Sequence, residues 1–385
     1  MMLFSKNSIY PLSLDISDLS LKLVQLNKVG GKIKIQALGK ISLPEGLIVE
    51  GEIKNEEEVA NIIKKLIDKP KYGKVSSEMV VACLPETKTF IKLIEIEKTP
   101  NNLADVIETE IEKHVPFLLD EIYYDWQVIE EKDDVQLVLI GAAPKKIVNQ
   151  YTNLLDKAKL SVEALEIEPV SLCRSLLPEE SPNFKGEFNK NYALIDIGAT
   201  RTSLVVYAKN TIPFSVSVPV SGEKITANIA ASLEIKKDQA EKAKIICGLD
   251  ETKAGGIINK VLSGMISDLN ERVNEILEFY GSHFPKYGPI NEIRLCGGGA
   301  NIKDIDKIIS KFSSIKVERG DALVNLGEAK NKFLELLSET YSLDVALPDN
   351  KKDKGEGNLS ITQDSSLTFA TAIGLALRGI FIDKL

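Results

Sequence analysis

One short pattern, an apolar strand ending in aspartate, a turn and a second apolar strand, occurs twice in this chain. The first copy spans residues 14–24 around Asp15, and the second spans residues 194–206 around Asp196. Two such hairpins that face each other can hold a polyphosphate, because turn amides and small hydroxyls donate to phosphate oxygens while the aspartates hold a hydrated cation. One copy alone is weak evidence, since strands that end in aspartate are common in α/β proteins.

Three consecutive glycines supply a third candidate element. Residues 297–299 directly follow the apolar stretch 293–296 and precede a helix predicted from about Lys303. Glycine lets a backbone approach a ligand closely at such a position. The same triplet is also compatible with a plain tight turn from strand to helix, so the order and spacing of all three elements must decide.

The elements around the first aspartate predict a sheet. Alternating apolar residues indicate a hairpin over residues 12–43, with a turn at residues 30–31. Apolar residues at helical spacing follow Asn55, and three acids lie at the positive end of the helix dipole. The continuous apolar run 79–84 is typical of a buried central strand.

A compact α+β unit is predicted in the middle of the first half. Its apolar patterns indicate strands at 89–96, 123–129 and 135–142 and helices at 102–114 and 146–159.

The second half repeats the hairpin and continues with helices. A helix entered through Pro169 is followed by a stretch rich in proline, glycine and charge, 178–190, where we place a domain boundary. Helices are predicted at 223–233 and 237–246. The polar segment 344–366 predicts a flexible loop.

The longest apolar stretch, 367–382, is shorter than the roughly 20 residues that a membrane span needs. It contains Arg378 and many small residues, which favours burial as a packed helix. The N-terminal residues 1–20 hold charges that exclude a signal peptide or a spanning helix there.

Composition narrows the functional classes. With 385 residues, 44% hydrophobic and 27% charged, the chain can bury a large core as two domains or as one with an insertion. A net charge of -8 argues against nonspecific binding to nucleic acid or directly to an anionic membrane.

Cysteine and histidine usage excludes further classes. The four cysteines lack a C-x-x-C spacing, so we interpret them as reduced packing thiols in a reducing compartment. The two histidines, His114 and His283, lie far apart without acidic or cysteine neighbours at metal-ligand spacing, which disfavours a zinc or triad enzyme.

The order of hairpin, helix at Glu168 and Pro169, second hairpin, glycine triplet and small-residue terminal helix resembles the actin, sugar kinase and Hsp70 superfamily over nearly the whole chain. The stretches 113–128 and 142–145 look like the insert of the PilM family of type IV pilus assembly proteins. That insert is similar to the 1C subdomain shared with the division protein FtsA. The resemblance implies an α/β, actin-like (RNase H-like) two-lobed ATPase fold with an inserted α+β 1C (SHS2-like) subdomain.

The resemblance also implies a domain plan. Subdomain 1A comprises residues 1–86 and 160–188 with helix 366–385 packing back, 1C comprises 87–159, subdomains 2A and 2B comprise 189–343, and 344–366 is the loop.

By the same resemblance, ATP and magnesium bind between the lobes. Asp15 and Asp196 hold the magnesium through water, and Glu168 matches a residue that organises the attacking water in hydrolytic relatives. At most a slow ATPase is expected. The implied nucleotide-binding residues are Asp15, Ser17, Ser20 and Lys22 in the first phosphate loop, Asp196, Gly198 and Thr200 in the second, Glu241 and Lys244 over the nucleoside, and Gly297, Gly298 and Gly299 against the adenosine.

Two local alternatives stay open. Glu241 and Lys244 also fit an exposed salt-bridging helix face. Ser17 stands where the family usually has glycine, and the charge of Asp18 either repels phosphate, points to solvent or joins the outer shell of the metal.

The family resemblance implies a scaffold near the inner membrane. Its 1C subdomain binds the cytoplasmic N-terminal segment of PilN, so contact with the membrane is indirect and the chain is cytoplasmic. Other pilus components, including the motor ATPases, and a homo-oligomer are further expected contacts. Tyr123, Tyr124 and Trp126 fit either a partner groove or the core of the insert.

The sequence is compatible with three other functions. An FtsA-like division filament shares the fold, but FtsA relatives carry a C-terminal membrane helix after a linker, whereas this chain stops at Leu385. A small-molecule kinase of the superfamily would use an aspartate as base, and no sugar-binding signature is visible. A nucleotide-free scaffold is the third, with Ser17 and Asp18 as its best support.

Overall fold

The computed structural model describes residues 10–98, 103–132, 134–178, 190–337, 339–342, 360–363 and 365–381. Its strands are β1 (Leu12–Ser17), β2 (Ser20–Val29), β3 (Lys32–Ser42), β4 (Ile48–Val49), β5 (Glu52–Ile53), β6 (Tyr72–Gly73), β7 (Met79–Leu84), β8 (Phe90–Glu97), β9 (Ile122–Lys132), β10 (Val135–Pro144), β11 (Ser161–Ile167), β12 (Tyr192–Ile197), β13 (Thr202–Ala208), β14 (Thr211–Val218), β15 (Glu292–Cys296), β16 (Lys316–Arg319), β17 (Glu339–Ser342) and β18 (Ser360–Gln363). Its helices are α1 (Glu56–Asp68), α2 (Leu103–His114), α3 (Lys145–Lys157), α4 (Glu168–Leu176), α5 (Gly222–Leu233), α6 (Lys237–Cys247), α7 (Ile257–His283), α8 (Ile305–Ser313), α9 (Ala329–Leu337) and α10 (Ala370–Phe381).

Two sheets share one topology. The first has the strand order β11-β7-β1-β2-β3-β6, and the second begins β16-β15-β12-β13-β14 and continues into β8-β10-β9. In each sheet an antiparallel hairpin lies beside two parallel strands, β7 and β11 in one and β15 and β16 in the other. The repeat seen in the sequence is therefore a repeat of a whole sheet, as a two-lobed fold requires.

Local sequence signals explain the first sheet. The hairpin turn predicted at residues 30–31 is confirmed between β2 and β3, whereas the arm predicted before it divides into two strands, β1 and β2. Gly30 and Gly31 have φ of 59° and 79°, the pair of positive values that a tight two-residue hairpin turn needs. Helix α1 begins where predicted, because the Asn55 side chain accepts a hydrogen bond from the amide of Glu58 at 3.1 Å.

Helix α10 lies in the core between the two sheets. Almost every residue of it is buried, and a methyl group added at Gly374 would approach the carbonyl oxygen of Ser171 in α4 to 1.9 Å. Arg378 is compensated by an ion pair with the buried Glu166 at 2.6 Å. Within the residues described, no helix is long and apolar enough to cross a membrane.

The insert has its own small core. Apolar residues of β8, α2, β9 and β10 pack together, and β8 pairs with β14 through Lys92 and Phe214. Helix α3, which the sequence analysis assigned to the insert, instead packs into the core of the first sheet through Ile147, Tyr151 and Leu154. This is a correction: a helix with one apolar face does not reveal from sequence which of two neighbouring cores it covers. We place the end of the insert near Pro144.

Some predictions fall largely outside the described residues. These are the domain boundary at 178–190 and the loop at 344–366, of which only the short strand β18 and residues 365 and 366 are described. The four cysteines are free and buried, as predicted for packing thiols.

Candidate functional site

All thirteen residues singled out from the sequence line one cavity of about 540 Å³ between the two sheets. This volume is within the range of small-molecule sites. The residues are Asp15, Ser17, Ser20, Lys22, Glu168, Asp196, Gly198, Thr200, Glu241, Lys244, Gly297, Gly298 and Gly299.

The first hairpin brings a buried ion pair into the cleft. Asp15 and Lys22 are cross-strand partners in β1 and β2, and Lys22 Nζ lies 2.7 Å from Asp15 Oδ2. Ser17 Oγ donates to the other oxygen, Oδ1, at 2.9 Å. Burial alone lowers the pKa of Lys22, but attraction to Asp15 more than reverses this, so the lysine is charged and its pKa is raised.

Asp18 has a structural role that sequence reasoning missed. Its carboxylate accepts hydrogen bonds from the backbone amides of Glu50 and Gly51, at 3.1 and 3.0 Å. Both turn residues have positive φ, 50° and 77°. The two amides partly offset the charge that had counted against phosphate binding, and they fix Asp18 to the turn between β4 and β5.

The second hairpin is built around close glycine packing. A methyl group at Gly297, where φ is 76°, would lie 2.1 Å from Asp196 Oδ1, and one at Gly299 would lie 2.2 Å from Ile197 Cγ2. Gly298 is different, because a methyl group there meets nothing within 4 Å. Two glycines of the triplet are thus required by packing, and Gly298 leaves space in the cleft.

Glu241 and Lys244 form an ion pair of 2.6 Å at one end of the cleft. Lys244 is buried and also donates to Thr226 Oγ1 at 2.8 Å and to the carbonyl of Gly222 at 3.2 Å. The alternative of an exposed salt-bridging face therefore does not hold for Lys244, which is held by α5 against the cavity.

Asp196 and Glu168 lie close together in the cleft, and nearby positive charge does not fully compensate their burial and mutual repulsion. Burial raises the pKa of Asp196 to about 6, with Lys22 opposing and Asp15 adding to the rise. Burial, with repulsion from Asp196 and Asp15, raises the pKa of Glu168 well above its usual range. Thr371 Oγ1 donates to Glu168 Oε1 at 3.3 Å, which ties α4 to α10 at the cleft.

Glu86 and Arg201 are among the lining residues that were not assigned from the sequence. Glu86 follows the buried strand β7, accepts a hydrogen bond from Ser203 Oγ, and has a second oxygen with no partner among the described residues. Burial raises its pKa to about 7. Its position just after a buried strand was the signal that could have revealed it.

The lining as a whole carries nine acidic side chains and five basic ones, and the pKa values of three of the acids, Glu86, Glu168 and Asp196, are raised. A polyphosphate alone would be repelled by this excess, so the donor set fits an anion that arrives with a divalent cation. No group of three or more histidine, cysteine or acidic side chains in the described part of the chain could hold a metal by itself.

The family model described as Type IV pilus assembly protein PilM matches residues 13–347, most of the chain. The chain belongs to the PilM family. The predicted family is thereby confirmed, and the site described above lies almost entirely within the matched residues.

Solved structures agree with the family on the fold. A PilM-PilN type IV pilus biogenesis complex superposes with a TM-score of 0.74 at 22% identity, covering 97% of this chain and 99% of that chain. The ethanolamine utilization protein EutJ from Carboxydothermus hydrogenoformans gives 0.50 at 16% identity, covering 83% and 89%. Likeness at these identities shows the fold alone, and the actin-like α/β fold predicted for this PilM-family chain is confirmed.

Cell division protein FtsA is a more distant relative. The FtsA of Neisseria meningitidis serogroup B (strain ATCC BAA-335 / MC58) is 22% identical over 267 residues, covering 60% of this chain and 62% of that protein. The FtsA of Bacillus subtilis (strain 168) is 23% identical over 233 residues, covering 56% and 50%. The chain therefore spans only about half to three fifths of the curated relatives it matches.

Proposed function

We propose that this chain binds ATP with magnesium between its two lobes and serves as a cytoplasmic scaffold of type IV pilus assembly. The observation that carries the proposal is the convergence of two equivalent hairpins on one cavity in which acidic groups outnumber cations. The proposed role in pilus assembly rests on membership of the PilM family, and the proposed ligand rests on the residues that line the cleft.

Different residues of the cleft would bind different parts of the ligand. Asp15 and Asp196 would hold magnesium through water, and the bound ion supplies charge neutralisation to the phosphates. Turn amides of the two hairpins and the Lys22 ammonium would bind phosphate oxygens. The open space over Gly298, bordered by Lys244 and Glu241, would take the nucleoside.

We propose at most slow hydrolysis. Glu168 would orient water, and burial with repulsion from Asp196 and Asp15 raises its pKa well above its usual range in the ligand-free cleft, which disfavours the charged form. A protonated carboxyl cannot accept a proton from water. The Thr371 hydrogen bond holds Glu168 in position, which suits a role in orienting water more than in deprotonating it.

Calorimetric titration with ATP, in magnesium and in a chelator, tests the nucleotide site. The wild type should bind ATP only with magnesium, and Gly298→Val should abolish binding because its side chain fills the open space. Gly264→Val, an exposed glycine-to-valine change in α7, is the matched control and should bind normally. Normal binding by Gly298→Val would refute the placement of the nucleoside.

We further propose that the insert binds the cytoplasmic N-terminal segment of PilN. A groove between α2, β9 and the start of α3 is lined by Glu108, Asp120 and Tyr123, with Lys145 at one side, and Leu118 beside it is 66% exposed. Acidic and apolar lining suits a segment with apolar and basic side chains.

The three aromatic residues named from the sequence lie on different faces of β9. Tyr124 and Trp126 pack against the core of the insert, whereas Tyr123 is on the opposite face of β9 and is half exposed. Both tyrosines line the groove, and Tyr123 is the more exposed of the two, so Tyr123 would make the larger contact with a partner.

Fluorescence anisotropy with a labelled PilN N-terminal peptide tests this surface. Leu118→Glu and Tyr123→Glu should each weaken binding at least tenfold, because each replaces an apolar contact with a charge. A tenfold loss of affinity corresponds to about 1.4 kcal/mol of binding free energy. Phe312→Glu, a change of an exposed aromatic residue in α8, is the control. Equal effects of all three changes would contradict the proposed groove.

Through PilN the chain would lie at the cytoplasmic face of the inner membrane, beside the other pilus components, including the motor ATPases, and open to self-association. Sedimentation with lipid vesicles separates this arrangement from an FtsA-like one. We expect sedimentation only when membrane-inserted PilN is present. Sedimentation with bare vesicles would favour direct attachment.

A further inference from the structure

Arg201 is a cation of the cleft that the proposed function has not used. It stands at the end of the turn between β12 and β13, and its Nε donates to Ser217 Oγ at 2.7 Å. Its side chain is 30% exposed, and Nη1 makes only a long ion pair of 4.0 Å with Glu50 in the described part of the chain. The guanidinium is thus anchored on one edge and available on the other.

The four-residue turn that carries Arg201 lines the cleft. The carbonyl of Gly198, at its start, accepts a hydrogen bond from the amide of Gly222 at 3.3 Å, and the carbonyl of Gly222 accepts one from Lys244 at 3.2 Å. The start of the turn is therefore next to the proposed nucleoside end. The amide of Gly198 donates to the carbonyl of Arg201 at 3.0 Å, so the two ends of the turn lie together. From there the Arg201 side chain extends toward Glu50, whose amide is bound to Asp18 of the first hairpin. The guanidinium therefore lies between the turns of the two hairpins, where the proposed phosphate contacts are.

The groups around Arg201 leave its charge available. Glu50 is exposed, and an exposed ion pair at this distance is easily exchanged for a better partner. Asp18 is occupied by the amides of Glu50 and Gly51. Glu86 is buried and hydrogen-bonded to Ser203, and burial raises its pKa to about 7, so it is only partly charged at neutral pH.

We propose that Arg201 binds the terminal phosphate of a nucleoside triphosphate and so determines the preference of the cleft for ATP over ADP. The inference rests on the proposed nucleotide site and adds the group that reads the length of the phosphate chain. Ser217 acts as a positioning residue, because its hydroxyl holds Nε and turns the remaining donors toward the cleft. A guanidinium suits this task, since its planar fork binds two phosphate oxygens at once.

Titration of ATP and ADP into magnesium-loaded wild type, Arg201→Gln and Arg201→Lys tests the proposal. Glutamine keeps a donor for Ser217 and removes the charge. We expect Arg201→Gln to weaken ATP binding by about ten- to hundredfold and ADP binding by less than about twofold, with lysine restoring part of the loss for ATP.

Lys237→Gln is the matched control for general charge. It also removes one positive charge from the lining, although Lys237 pairs with Glu45 and Glu223 at the rim. We expect it to leave the ATP to ADP ratio unchanged. If Lys237→Gln reduced the affinity for ATP relative to ADP as much as Arg201→Gln does, the overall charge of the cleft and not Arg201 would determine the preference.

The other outcomes separate the two proposals. Equal losses for ATP and ADP in Arg201→Gln, or no loss for either, overturn the role of Arg201 while the nucleotide site stands. A wild type that binds neither nucleotide overturns the proposed function, and the present inference with it. Unfolding curves of the variants check that the fold is intact in each case.

Discussion

The two hairpins of the cleft have the same strand pairing but differ in whether their aspartate is ion-paired. In the first, Asp15 faces Lys22 across the strands and forms a buried ion pair of 2.7 Å. In the second, Asp196 faces Ser203, whose hydroxyl is already donated to Glu86. Asp15 is ion-paired, whereas Asp196 forms no ion pair within the part of the chain that the structure describes.

This difference shows how a duplicated element can be divided in function. The first hairpin is complete without ligand, because its charges cancel. In the second, Asp196 has no such pair among the described residues, and its burial raises its pKa to about 6. We infer that the second hairpin is the half of the site that a bound cation stabilises most.

The largest expected effect comes from breaking the ion pair between Asp15 and Lys22 in the first hairpin. Asp15→Asn removes the partner of Lys22, whose side chain is only 10% exposed, and should lower the free energy of unfolding by about 3–5 kcal/mol. Urea denaturation measures the change. Glu275→Gln, which breaks an exposed pair with Arg272, should leave the midpoint unchanged. A similarly small effect of Asp15→Asn would mean that Lys22 is compensated by other groups.

The equivalent change in the second hairpin should have the opposite sign. The pKa of Asp196 is about 6 in the folded protein against an ordinary 3.8, so its contribution to stability is complete below about 3.8 and is lost as pH rises through 6. Asp196→Asn removes that loss. Without ligand, it should be more stable than wild type at pH 8 by up to about 3 kcal/mol, and the two should converge toward pH 4.

Denaturation of wild type and Asp196→Asn at several pH values, without nucleotide or metal, measures this difference. An Asp196→Asn protein that is less stable than wild type at pH 8 would show that Asp196 is already compensated. The comparison between the two hairpins would then fail.

The smallest expected effect separates neighbouring glycines. Gly297→Ala should cost about 1–3 kcal/mol, because it adds a methyl group 2.1 Å from Asp196 Oδ1 at a positive φ. Gly298→Ala should change stability by less than about 0.5 kcal/mol, since nothing lies near it. Thermal unfolding of both variants is the measurement, and equal losses would contradict the packing role assigned to Gly297.

Much of the fold was predictable because its signals are local. Gly30 and Gly31 mark a hairpin turn, Asn55 caps a helix, and the repeated aspartate at a strand end marks the two equivalent hairpins. The family resemblance then placed these elements in one superfamily order. The assignment of α3 to the insert was wrong, since its apolar face carries no label for the core it joins.

The sequence by itself determined the residue types of the site and their order along the chain, since strand ends and glycine turns depend on nearby residues. Only the tertiary structure decided which charges meet. Asp18 is bound by amides some thirty residues away, and Glu86 reaches Ser203 in the other sheet. Such contacts depend on how two sheets pack, and periodicity along the chain carries no information about distances across a cleft.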